Sequence, residues 1–245
     1  PQIFGWWGYH LWFLGFLFSF SMLGVPLFIW LRGDAGQRVM AWLLRLCEQR
    51  GGLLLAFVPL AAVQVIFRIF FTEGEHNWTD FFYMFMFFVL GYILYADKRF
   101  AQLILRDWWI ILIGAALTSL TLLPLAYYGD VFTWMAAPQM PEFYGTWILF
   151  VINGWCWTLL LLLLGIHSLN FSNHWLRYGQ EAIVPFFVLH QPVIMLVAFF
   201  VVQWGAAILR KLLLVVGASF AVTWGLYEVF IRHVGFMRRA FGMKS

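Results

Sequence analysis

Residues 178–204 read YGQEAIVPFFVLHQPVIMLVAFFVVQW. The stretch is apolar and long enough, at about 1.5 Å per helical residue, to cross a hydrocarbon core of roughly 30 Å. It nevertheless keeps Pro185, His190, Gln191 and Pro192 near its middle. An ionisable ring in lipid must find a partner or give up its charge, and each proline removes a backbone donor. A span that retains all four is expected to face a protein interior.

The composition around this stretch says the same. Hydrophobic residues make up 64% of the 245, charged residues 11% and aromatics 21%, a balance that excludes a soluble domain and leaves an integral membrane protein. Seven apolar runs separated by short polar connections predict an all-α, polytopic transmembrane bundle in one domain, residues 1–245. The chain opens on Pro1 and not on Met, with no secretory signal, and the expectation is of a fragment. Cys47 and Cys156, the only cysteines, form neither a disulfide framework nor a cysteine metal site. No metal is expected, and no nucleic-acid partner.

The runs are residues 10–31, 53–71, 81–96, 108–128, 147–169, 178–204 and 212–231. The first leads into a polar loop with Arg32, Arg38, Arg45 and Arg50. The third leads into Lys98, Arg99 and a short amphipathic piece reaching Arg106. Arg177 precedes the sixth, and Arg232, Arg238, Arg239 and Lys244 follow the seventh. Twelve of the fifteen Lys and Arg therefore fall on one side, which predicts an external N-terminus and a cytoplasmic C-terminus. The connections at residues 72–77 and 129–144 hold acids and no Lys or Arg, and read as external.

Several side chains are candidates for chemistry. His190, on the order of 15–18 Å into the sixth run, is either a neutral ring satisfied by a neighbouring helix or a group in a polar cavity that the flanking prolines help to open. Gln191 is able to position a substrate or fix the helix to its neighbour. Glu181 reads as complementing a helix dipole in the first turn, and Glu228 as an ion pair with Arg232 four residues on. His10, at the outer end of the first run, is an interface anchor or a site residue. Asn153, Trp155 and Trp157 put polar edges into the fifth run. Arg68, in the outer part of the second, calls for an anion: Glu73, Asp80 or a substrate. Phosphate-binding glycine loops, the GxSxG elbow and the HExxH zinc pair are absent from the sequence.

Four segments carry a family resemblance in order. EAIVPFFVLHQPV at 181–193 resembles the C-terminal histidine motif of the acyltransferase 3 family, HLWFL at 10–14 its mid-chain motif, FFVLGY at 87–92 its FFLLG segment, and Tyr227-Glu228 its terminal acid. The resemblance implies a bacterial inner-membrane enzyme that moves an acyl group from a cytoplasmic donor, commonly acyl-CoA, to a hydroxyl on a carbohydrate or other envelope acceptor. Acyl-CoA is then a co-substrate, no cofactor is resident, and membrane lipid is the other partner. It also implies that this chain is the C-terminal two thirds of such an enzyme, with the family's catalytic arginine–histidine pair upstream. His190, in a supporting role, and His10 are carried over as catalytic, and Trp12 and Glu228 as substrate-binding. Beside them Arg68 and Trp155 are assigned to the acyl and pantetheine-phosphate path, and Gln191 or tryptophan N–H groups to the oxyanion that acyl transfer develops. Two other readings are a transporter or flippase, gated by the proline-bearing run and holding an anionic head group on Arg68, and a structural membrane subunit.

Overall fold

A computed structural model of the chain describes residues 11–71, 77–169, 171–241 and 243. The described residues contain helices and no strand, and seven helices are long and apolar enough to cross a bilayer. The all-α polytopic bundle predicted from composition is therefore the architecture. The backbone separates into two compact units, Pro1–Asn170 and Phe171–Ser245.

In the first unit the spans are α1 (Trp12–Arg32), a 3-10 turn (Gly52–Ala56) running into α3 (Phe57–Phe70), α4 (Trp78–Ala96), α6 (Trp108–Tyr128) and α8 (Pro141–Ser168). Helix α8 is the hub. Its 28 residues extend about 42 Å, and it packs against α3, α5 (Lys98–Arg106), α6 and α7 (Val131–Ala136). Pro141 stands at its N-terminal edge with Glu142 in the first turn, where a preset φ and a negative charge both favour helix initiation. The helix thus begins six residues before the predicted run, and the connection at 129–144 is shorter and partly helical. Helix α1 meets α4 through Phe16 and Phe20 against Phe81, at 5.1 Å between ring centroids. These are edge-on contacts, favoured by the ring quadrupole.

The polar loop expected after the first run is instead α2 (Asp34–Glu48). Gly36, Met40 and Leu44 recur at four-residue spacing and are buried, so one face of an otherwise charged segment seals against the bundle. Gly36 allows close approach, because a Cβ there would overlap the Trp30 carbonyl and the Leu31 backbone. Helix α5 is the amphipathic piece predicted, burying Phe100, Leu103 and Ile104, and it packs on α2. The turn after α2 needs Gly51 at φ 75°, a region costly for residues with a Cβ. The Gly51 N–H donates to Asp107 Oδ2 at 3.0 Å. Arg106 donates to both Asp107 oxygens at 2.8 Å and to the carbonyls of Glu48 and Gln49 at 2.6 and 3.0 Å, closing the end of α2. Beside that guanidinium the Asp107 carboxyl lies below the usual carboxylate range, helped by the Gly51 N–H.

The second unit holds α9 (His174–Val202), α10 (Ile208–Leu226), a π-helical turn (Tyr227–Ile231) and α11 (Gly235–Ala240). Asn173 Oδ1 accepts from the Leu176 N–H at 2.8 Å and starts α9. The capping read onto Glu181 is corrected accordingly, since Glu181 lies about two turns inside the helix. Helix α9 runs unbroken through Pro185 and Pro192. Helix α10 returns along it: Tyr178 and Phe186 meet Tyr227 at 5.6 and 5.8 Å, and Phe186 meets Phe220 at 6.0 Å. Ala182, Tyr227, Ile231 and Met243 form the core of this unit.

Candidate functional site

The end of the seventh span turns from α-helix to π-helix. The Arg232 N–H donates to the Tyr227 carbonyl five residues back, at 2.9 Å. Such bulges re-aim side chains and are frequent at functional sites. Here Glu228 becomes the centre of a cluster. Its Oε1 accepts from the Arg232 guanidinium, and its Oε2 accepts from the Tyr178 hydroxyl at 3.0 Å. The Tyr178 oxygen in turn accepts from the Trp224 indole N–H at 2.6 Å, and Arg232 lies 5.4 Å over the Tyr178 ring. The pairing with Arg232 is legible from i,i+4 spacing. Tyr178 arrives from 50 residues away, and no local pattern announces it.

His190 is sixteen residues into α9, about 24 Å along a helix of about 43 Å. It is partly buried, and its Nδ1 lies 3.0 Å from the Phe186 carbonyl. In the tautomer whose Nδ1–H donates there, the acceptor lone pair is on Nε2. Gln191, the next residue, is also partly buried.

The His190 ring helps line a cavity of about 390 Å³ between α9 and α10, with Phe186 and Ile194 on its own helix and Leu212, Val216, Ser219 and Thr223 opposite. Ser219, Thr223 and Tyr227 follow at four-residue intervals, on one helical face. They are 4%, 2% and 0% exposed, and none of the three hydroxyls has a hydrogen-bond partner among the described residues. Sequence reasoning missed this stripe. Its four-residue period was the signal, masked by the short polar side chains in an apolar run.

The remaining candidates lie in the first unit. Arg68 donates to Asp80 Oδ1 at 2.7 Å and to Gln64 Oε1 at 3.2 Å, with its guanidinium 4.5 Å over the Trp147 ring. Of the anions considered for it, Asp80 is the one in contact, and Glu73 lies outside the described residues. Trp155 is 2% exposed, and its indole N–H donates to the Leu53 carbonyl at 2.9 Å, tying α8 to the 3-10 turn. Asn153 donates to Thr118 and Ser119 at 2.9 and 2.8 Å, and Trp157 donates to Ser119 at 2.9 Å, forming a polar seam between α6 and α8. Trp12 opens α1, its ring 5.3 Å from Phe16. His10 lies outside the described residues.

Seven apolar spans, with charged residues gathered mainly at their ends and in the helices between them, define a polytopic integral membrane protein. The model of the acyltransferase 3 family, described as an acyltransferase domain, matches residues 1–228 of the 245. The chain belongs to that family and is, in general terms, a membrane acyltransferase. No curated protein and no solved structure matches it.

Proposed function

We propose that the chain serves a membrane-bound O-acyltransferase of the bacterial inner membrane, which moves an acyl group from a cytoplasmic donor such as acyl-CoA to a hydroxyl of a carbohydrate or other envelope acceptor. The observation that carries this reading is His190, held by the Phe186 carbonyl midway along a membrane span and set in the wall of a cavity. In a supporting role, Nε2 assists removal of the acceptor hydroxyl's proton as its oxygen attacks the thioester carbon. The C–O bond forms, the tetrahedral oxyanion collapses with loss of the C–S bond, and the proton passes to the departing thiolate. Gln191 donates to the oxyanion. The indole donors of Trp147, Trp155, Trp157 and Trp224 are all engaged within the protein, which favours the amide for that task. Glu228, braced by Tyr178 and Arg232, is a positioning residue in this scheme.

The test is the protein in liposomes with acyl-CoA and an envelope sugar. His190→Ala is expected to lower kcat about 100-fold with the donor KM little changed. Absence of acyl transfer by the wild type, together with passage of the sugar across the bilayer, would replace the enzyme reading with the transporter one. Against that alternative stands the engagement of Arg68 by Asp80, since a transporter would aim this cation at an anionic head group.

A further inference from the structure

The exposed residues of α2 change chemistry in order around the helix axis. At about 100° per residue, counting from the buried Met40, Glu48 and Asp34 fall about 80° and 120° round, Arg45 and Arg38 about 140° and 160°, Trp42 about 200°, and Leu46 and Val39 about 240° and 260°. All seven are exposed. Acid, arginine, tryptophan and aliphatic therefore follow one another from one edge of the buried face to the other. The same order is met on passing from water through the phosphate layer and the aromatic belt into hydrocarbon. The acids are engaged elsewhere: the Glu48 carbonyl accepts from Arg106 and its charge acts on Arg99 and Arg106 of α5, and Asp34 stands in the first turn, where it complements the helix dipole. Neither Arg38 nor Arg45 is in an ion pair among the described residues. Both ends of α2 are fixed at the depth where spans begin and end. Asp34 follows the end of α1 at Arg32 by two residues, and Gly51, just past α2, is held by Asp107 at the start of α6. Trp30 near the first of these points and Trp108 and Trp109 at the second are exposed, as residues of an aromatic belt are. A helix about 22 Å long and tied at both ends to this level lies along the membrane surface.

We propose that α2 is an interfacial helix that docks on anionic phospholipid, with Val39, Trp42 and Leu46 set among the acyl chains and Arg38 and Arg45 on the headgroup phosphates. The long arginine stems reach from the apolar flank to the phosphates, as snorkelling side chains do. This surface stands apart from the acyltransferase reading and does not depend on it.

The experiment uses the full chain in nanodiscs of phosphatidylcholine and phosphatidylglycerol. Nitroxide labels are placed singly by Asp34→Cys, Val39→Cys, Ala41→Cys or Leu46→Cys in a background of Cys47→Ala and Cys156→Ala. Their access to oxygen and to a water-soluble nickel chelate is read by electron paramagnetic resonance. Labels at 39 and 46 are expected to meet oxygen and be shielded from nickel, and labels at 34 and 41 the reverse. Nickel access at 39 and 46 puts that flank in water, and shielding from both reagents means that a second copy or another protein segment covers it; either result overturns the proposal. The headgroup is tested with a trace diazirine phosphatidylglycerol and the matching phosphatidylcholine, with labelled peptides read by mass spectrometry. Residues 34–50 are expected to be labelled more by the anionic lipid, and Arg38→Gln with Arg45→Gln to lower that labelling on the order of 20-fold, about fivefold for each arginine. Arg99→Gln, whose guanidinium is held by Asp97, is expected to leave it unchanged. Equal labelling by the two lipids, or labelling by phosphatidylglycerol that the double variant does not lower, also overturns the proposal.

Discussion

Asn153 in the first unit and Ser219 in the second each place a small polar side chain inside an apolar span, and their surroundings differ. Asn153 reaches two hydroxyls on α6, and Trp157 reaches one of the same pair, so this seam closes on itself. Ser219, Thr223 and Tyr227 are more deeply buried than Asn153, yet their hydroxyls meet no partner among the described residues. In hydrocarbon a satisfied polar contact between helices is glue, whereas an unsatisfied one is a standing demand for an acceptor. The first unit is thus built as a support, with its Arg68 Nε the one buried atom there still unpaired among those described. The second leaves a stripe of three buried hydroxyls unsatisfied among the described residues.

The contrast is open to attack by mutation, and the largest effect is expected at Arg68. Asp80→Asn leaves a guanidinium that is 12% exposed without its counter-ion. The loss should be about 3 kcal/mol, read as thermal unfolding in detergent, and Arg68→Met with Asp80→Leu should recover much of it. Next comes Asp107→Ala, which strips the Arg106 and Gly51 bonds from the end of α2 and is expected to cost about 2 kcal/mol.

The same carboxylate gives a pH signature. Its folded pKa lies below the ordinary 3.8 because Arg106 stabilises the charged form. Its contribution is therefore complete above the unfolded value and lost as pH falls through the lower folded one. Thermal stability should drop in that acid range for the wild type and less for Asp107→Ala. Gly51→Ala follows at about 1 kcal/mol, from a φ of 75° that a Cβ disfavours.

Asn153→Ala should cost only about 0.6 kcal/mol, the scale of an interhelical hydrogen bond in a membrane. Smallest of all, Ser219→Ala is expected to leave the unliganded protein's stability unchanged or slightly raised, because no partner is lost. A clear destabilisation by Ser219→Ala would mean that the stripe is structural, and the distinction between the two units would fall.

Different parts of this protein were legible to different degrees. Charges collected at the ends of apolar runs made the seven spans readable, since transfer of a charged side chain into lipid is costly wherever it occurs. Helix α2 was not readable in that way, because Arg38 and Arg45 within it and Arg32 and Arg50 beside it hid the Gly36, Met40 and Leu44 face. The start of α8 was hidden by Pro141 and Glu142, loop formers in general but good helix initiators at the first turn.

Among site residues, Glu228 and Arg232 were within one helical turn and could be paired on paper. Tyr178, which bridges Glu228 and Trp224, comes from α9, whose register against the last span only packing fixes. The same holds for His190: its depth follows from counting residues, and its neighbours do not.

The sequence by itself determined that this is a helical membrane protein, how many spans it has and which family it resembles. Those facts depend on transfer energies and short motifs, which are properties of contiguous residues. Tertiary structure alone decided that Arg68 meets Asp80, that Trp155 is bound to Leu53, and that Ser219 and Thr223 line the cavity opposite His190. These are meetings between helices, set by side-chain packing across gaps of a dozen to a hundred residues, over which a one-dimensional pattern carries no distance.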